Sequence, residues 1–241
     1  MAISELPHEG RSSWLISATE SMRSTGWYRS LNARPRPEMK VHTYVIAIDA
    51  GSAPNYDPPF VTLAVCKPRI RRKANVGELV FAFAGKGVNP MEPHAVVWAG
   101  VISEKLTFEQ YWNDKRFAGK KPSRTRLPDN FYRPTDGGLV WVENPIHGPE
   151  SAQHDTNGVY VLALAPSWRF GANGPALPAE FGLRMTNGRR GERVVELEEP
   201  TWQRLKRWLD SQLGIVERAS PTLTKCLPSK RTPRRDKRSR C

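Results

Sequence analysis

Cysteine is scarce in this 241-residue chain, and the three present, Cys66, Cys226 and Cys241, are odd in number and far apart. A disulfide framework or a tetrahedral zinc site needs paired, closer spacings, so neither a disulfide nor a metal site is expected. A reduced, cytoplasmic setting is the simple reading. Long apolar runs are missing as well. No stretch approaches the ~18 consecutive apolar residues of a membrane helix, so no membrane partner is expected. The opening MAISELPHEG has neither the early basic region nor the apolar core of a signal peptide. The usual catalytic signatures are also lacking: there is no Walker loop, no GxGxxG after a strand, no GxSxG elbow, no HExxH and no deaminase motif. Gly85-Lys86-Gly87 is too short to cradle a phosphate. No cofactor is implied.

Acidic residues are outnumbered, 24 Asp/Glu against 37 Lys/Arg, for a net charge of +13. More than half of that excess lies in residues 225–241, where eight Lys/Arg face one Asp for a net +7. The middle of the chain is only mildly basic. A basic end of this kind attracts a polyanion, nucleic acid before membrane, without fixing sequence preference. Proline is abundant, at 21 residues, so loops are extensive. Residues 1–38 mix Ser, Arg, Glu and Pro and end in Ala-Arg-Pro-Arg-Pro, which reads as a disordered or non-native extension. Met39 is an alternative start to Met1. Residues 39–214 read as the core domain, and residues 215–241 as a disordered basic tail.

Alternating apolar residues predict the strands. His42–Asp49 is apolar on both faces, as a central strand should be. Phe60–Cys66, Leu79–Ala84, Ala95–Ser103, Gly138–Val142 and Val159–Ala165 follow, with Arg193–Leu197 as a late edge strand. Lys67–Lys73, KPRIRRK, reads as an extended basic connector. Thr107, with Gln110 three residues on, has the spacing of a capping box and predicts a short helix. Lys115–Asp136 reads as irregular. Pro200 suits a helix start and Gly214 a stop. Between them Trp202, Leu205, Trp208, Leu209 and Leu213 form a stripe at helical spacing. That stripe reads as core packing rather than a base-stacking surface.

Five segments together carry a family resemblance: YVIAIDAGSAPN (44–55), TLAVCKPRIRR (62–72), LTFEQYWNDKRF (106–117), DNFYRP (129–134) and HDTNGVYVLALAPSWRFGANGPALP (154–178). In order and spacing they resemble the nucleotide-modification-associated domain 2 family. The resemblance implies a place in bacteriophage or bacterial DNA-base modification and brings no defined chemistry with it. By analogy it also implies a PUA-like or EVE-like fold. The expected class is thus α+β, a small mixed or antiparallel β-barrel-like sheet with two or more packed helices. In such folds a base sits between the barrel and a nearby helix.

A flipped base needs an apolar slot, polar groups for its edge and cations for the flanking phosphates. Lys67, Arg69 and Arg71 are the candidate phosphate clamp, because an extended strand would put Arg69 and Arg71 on one side. Asn55 can offer its amide to a base edge, whereas Asp49 beside it is as readily a turn cap. Tyr111 and Trp112 are neighbours on one short helix and cannot share a direction. One packs inward, and Trp112 is the candidate stacking platform. Asn130 and Tyr132 in DNFYRP are pocket candidates. For acid–base chemistry the candidates are His154, Asp155 and Asp129, ahead of His94 and His147. Cys66 is either a nucleophile beside cations or a small buried strand residue. The expected function is binding of nucleic acid, DNA first, or of a modified nucleotide. The alternatives are an enzyme acting on a modified base or nucleotide, and an accessory protein that binds DNA through its tail.

Overall fold

The computed structural model describes residues 38–92, 94–124, 127–183 and 191–219, with side chains in the last helix described as far as Leu213. Of the expected extension 1–38 and disordered tail 215–241, residues 1–37 and 220–241 lie outside the described residues, while Glu38 opens a strand and residues 215–219 continue the last helix. What is described is a mixed α+β unit built on a six-stranded sheet.

The strands are β1 (Glu38–Ile46), β2 (Val61–Leu63), β3 (Leu79–Ala84), β4 (Val96–Thr107), β7 (Tyr160–Arg169) and β8 (Arg193–Glu198). They lie in the order β2-β7-β4-β3-β1-β8. β5 (Tyr132–Thr135) and β6 (Gly138–Trp141) form a separate hairpin. Only β1 and β3 run parallel; the other neighbours are antiparallel. A parallel pair needs a crossover. Here the chain leaves β1, forms β2 at the far edge, turns through helix α1 (Pro68–Lys73) and returns as β3.

The sheet does not close into the expected barrel. Among the described residues β2 and β8 are its two edges, and no ladder joins them. The reason is visible along β3, where Leu79, Phe81 and Phe83 enter one apolar cluster and Val80, Ala82 and Ala84 the opposite one. A barrel lines one inner face with apolar side chains, whereas this sheet buries both faces and needs cover on each. On the first face lies α4 (Glu199–Ala219), through Trp202, Leu205 and Leu209, with Trp208 and Leu213 at the margin. The tryptophan stripe is therefore core, and the helix runs through Gly214 instead of stopping there. On the other face, the buried Ile70 of α1 packs with Leu63, Trp98 and Leu162.

A third cluster joins the β2–β7 edge to α2 (Phe108–Asn113), with Phe108, Tyr111, Phe117, Phe131 and Tyr132 packed on Val161 and Ala163. α2 begins with the expected capping box: the Thr107 hydroxyl accepts from the Gln110 amide, and the Gln110 side chain accepts from the Thr107 amide. β8 is an edge strand, as its sequence predicts. The stretch expected to be irregular contains a 3-10 helix at Lys115–Lys120 and the strand β5.

KPRIRRK is helical, not extended. Pro68 supplies the first turn of α1, and the helical rotation separates its cations. Arg69 faces solvent near Glu192, at 4.0 Å. Arg71 points inward and is fully buried. It donates from Nε to the Cys66 carbonyl at 2.8 Å, from Nη1 to the Tyr160 carbonyl at 2.9 Å and from Nη2 to the Asp155 carbonyl. Burial pushes its guanidinium down to about 10, against the pull of Asp155 and other neighbours. Gly158 lies so close to the guanidinium that a Cβ there would overlap it.

Candidate functional site

Three groups of polar side chains meet around β2 and the strand ends beside it. The first is built on Asp155, in the short helix α3 (Ala152–Thr156). Its carboxylate is fully buried; Oδ1 accepts the Cys66 backbone N–H at 2.8 Å. Oδ2 accepts the Tyr132 hydroxyl at 2.8 Å and lies 2.6 Å from Nδ1 of His147. The other ring nitrogen, Nε2, is 3.6 Å from the Cys66 sulfur. Thiol, imidazole and carboxylate thus form one compact cluster, with the imidazole touching both of the others. Burial alone would raise the Asp155 carboxyl, but hydrogen bonds from His147, Cys66 and Tyr132 outweigh it and hold the group below the usual range. Cys66 has φ 55° and Lys67 φ 41°, left-handed conformations that cost non-glycine residues energy and cluster at functional sites.

The second group surrounds Asp129. It accepts the Thr62 hydroxyl at 2.6 Å and the Tyr111 hydroxyl at 2.7 Å. Burial raises this carboxyl, and Lys120, Thr62 and Tyr111 only partly oppose the effect. Lys120 is itself buried; its amine donates to Oδ1 of Asn55 at 2.8 Å, and burial lowers it. Asn55 also donates from Nδ2 to the Leu127 carbonyl at 2.8 Å.

The third group is aromatic. Tyr44 is buried, and its hydroxyl accepts from the Trp98 indole at 3.0 Å while the Lys67 ammonium lies 4.8 Å over its ring. The Arg169 guanidinium lies 4.0 Å over the ring of Tyr56. The Tyr56 hydroxyl is buried and has no hydrogen-bond partner among the described residues. Burial, then the nearby Asp49, push its phenol far up, and Arg169 opposes them.

A profile for the nucleotide modification associated domain 2 matches residues 38–227. The chain belongs to that family. Among curated proteins and solved structures, nothing matches it. The family's description links the domain to nucleotide modification and, in those words, to no particular reaction.

Within this nucleotide-modification domain the residues expected at a site are distributed unevenly. Asn55, Asn130, Tyr132 and Arg71 are all buried and hydrogen-bonded to the protein itself; the Asn130 amide, for example, donates to the Tyr111 carbonyl at 3.0 Å. Lys67 and Arg69 lie toward solvent at the start of α1, and Trp112 is half-buried with Lys121 4.3 Å over its ring. Tyr111, its neighbour, packs inward. His154 is exposed, and Asp155 beside it is buried. Consecutive helical residues point about 100° apart, so the two do not pair, and the imidazole that meets Asp155 is His147, eight residues earlier. Cys66 is buried, as the plainer of its two readings has it, yet it also sits against an imidazole.

His147 is a weak candidate on sequence grounds, and neither Tyr56 nor Arg169 stands out there. The only signal for His147 was a histidine in a Gly/Pro/Asn-rich loop. A metal site was not expected, but the structure brings three potential ligands together: the donor atoms of Cys66, His147 and Asp155 lie within 4.8 Å of one another. The carboxylate, however, is already taken up by Nδ1, Tyr132 and the Cys66 amide. Without it, Sγ and Nε2 make two donors, fewer than the three or four protein donors of a zinc centre.

Proposed function

We propose that this domain holds a base or nucleotide in a DNA-modification system, at the face where Tyr44, Tyr56, Lys67 and Arg169 meet. The observation that carries the reading is the Tyr56 hydroxyl, a buried polar atom without a partner among the described residues, on a ring already stacked by a guanidinium. Orphaned polar atoms are rare in folded proteins and call for an explanation. A planar ligand with hydrogen-bonding edges supplies one, by stacking beside the aromatic rings and engaging the phenol. Lys67, with Arg69 two residues on, meets the phosphate. Arg71, Asn55, Asn130 and Tyr132 act from behind by fixing the loops, and Trp112 offers a second stacking surface toward the flanking strand.

A PUA-like mode of holding a flipped base, with DNA as the polymer and a bacteriophage or bacterial, cytoplasmic setting, belongs to the same reading. The +7 segment at 225–241 adds sequence-independent attraction to DNA.

The test is calorimetric titration of the full chain with canonical and modified deoxynucleotides. Arg169→Ala and Tyr56→Phe are expected to weaken binding roughly tenfold each, since one stacking or buried hydrogen-bonding partner contributes about 1–3 kcal/mol. Lys67→Ala is expected to lower the salt slope of oligonucleotide binding by about one. If no nucleotide binds, or if the Tyr56→Phe, Arg169→Ala double variant binds as tightly as the parent, the reading is wrong.

A further inference from the structure

We infer that Cys66 is a nucleophile, with His147 as its general base and Asp155 as the residue that orients the imidazole, and that its substrate is an amide or ester carbonyl carried by a base or nucleotide. The substrate class rests on the binding face proposed above; the thiol assignment rests on its own geometry.

A nucleophile, a base within reach of it and a third group holding the base are the parts of covalent acyl-transfer sites on unrelated folds. Here Sγ to Nε2 is 3.6 Å and Nδ1 to Oδ2 is 2.6 Å. Because the carboxylate takes Nδ1, that nitrogen carries the proton and Nε2 faces the thiol as acceptor. Asp155 is itself locked by the Tyr132 hydroxyl and the Cys66 amide, so the ring has little freedom to turn away. Cys66 sits at a sharp turn from strand to helix, where a left-handed φ of 55° sets the direction of its side chain. Lys67, the residue after Cys66, lays its ammonium 4.8 Å over the Tyr44 ring, which ties the turn that carries the thiol to the aromatic face. Cys66 is 2% exposed, so its alkylation also reports whether a substrate can reach the thiol.

In the reaction, the Sγ–H proton passes to Nε2 of His147 and the sulfur electron pair forms a bond to the carbonyl carbon. The carbonyl π pair moves to oxygen and then returns, expelling the amine or alcohol, which takes the proton from His147. The product is a thioester on Cys66. Water, deprotonated by His147, then attacks the thioester, and the thiol leaves with its proton restored. The net change is hydrolysis and involves no oxidant or reductant.

The test uses the full chain, its Cys66→Ala, His147→Gln and Asp155→Asn variants, and two probes, iodoacetamide and N4-acetyldeoxycytidine. Alkylation is followed site by site by mass spectrometry. Titratable and charged groups around Cys66 among the described residues include His147, Asp155, Arg71, Lys67, Tyr132 and Tyr44, so the pH profile is compared between parent and His147→Gln. The expected result is Cys66 alkylation that slows at least tenfold in His147→Gln, with loss of a bend near neutral pH. Acetylcytidine hydrolysis should fall about a thousandfold in Cys66→Ala, and an acetyl adduct should be trapped on Cys66. Because Asp155→Asn disturbs a buried network, His147→Gln, with its unfolding midpoint measured alongside, is the deciding variant. Equal alkylation rates in folded parent and folded His147→Gln overturn the proposal, as does stoichiometric zinc that protects Cys66 from alkylation. Nucleosides that bind through Tyr56 without His147-dependent thiol reactivity overturn the nucleophile and leave the binding reading standing. A His147-dependent thiol in a chain that binds no nucleoside overturns the substrate class and the binding reading together.

Discussion

Asp129 and Asp155 are both fully buried carboxylates beside the same short strand, yet burial wins at one and loses at the other. Asp129 takes hydroxyls from Thr62 and Tyr111, with Lys120 nearby, and its carboxyl is raised. Asp155 takes a backbone N–H, a hydroxyl and an imidazole nitrogen, and its carboxyl is lowered. The difference is the kind of donor. An imidazole at 2.6 Å can carry a full charge, and a backbone N–H cannot turn away, so both favour the ionised form more firmly than rotatable hydroxyls do. The Asp129 group ties loops together, whereas the Asp155 group does that and also holds an imidazole against a thiol.

The comparison can be broken most directly at its charged end. Asp155→Asn is expected to lower unfolding stability by about 3 kcal/mol, the low end for breaking a buried pair, read by chemical denaturation at pH 7. Gly158→Ala comes next. The added methyl must displace the Arg71 guanidinium, and overpacking of this kind costs about 1–3 kcal/mol. Asp129→Asn should change stability by less than about 1 kcal/mol at pH 7, because a neutral side chain suits a site that already disfavours charge. Stability followed from pH 6 to pH 2 separates the two carboxylates by sign. The lowered Asp155 contributes stability above its unfolded value of about 3.9 and loses it as pH falls through its lower folded pKa. The raised Asp129 contributes in the opposite sense, with its stabilisation complete below the unfolded value and lost as pH rises through the folded one. The acid loss should therefore shrink in Asp155→Asn, leaving the part due to the lowered Glu78, Asp114 and Asp210, and persist in full in Asp129→Asn. A similarly small effect, about 0.5–1 kcal/mol, is expected at Trp112→Ala, since the side chain is already partly exposed and has one cation over its ring.

Much of the sheet was legible because its signals are local. Leu79–Ala84 is a strand in both readings, Thr107 caps its helix through the expected pair of hydrogen bonds, and the stripe from Trp202 to Leu213 faces the core. KPRIRRK departs from its sequence pattern because alternating charges mimic a strand while Pro68 starts a helix. The site was less legible still. DNFYRP and His154-Asp155 drew attention as polar runs, but their members point in different directions once the chain is helical or paired.

By itself the sequence determined the apolar alternation, the caps, the concentration of positive charge in residues 225–241 and membership of the family, because each is written in residues close together along the chain or in their order. Only the tertiary structure decided that the sheet stays open, that Arg71 turns inward, and that Cys66, His147 and Asp155, spread over 89 residues, meet at hydrogen-bonding distances. Those outcomes depend on which faces must be covered and which buried polar atoms must find partners, and neither can be read until the whole chain is packed.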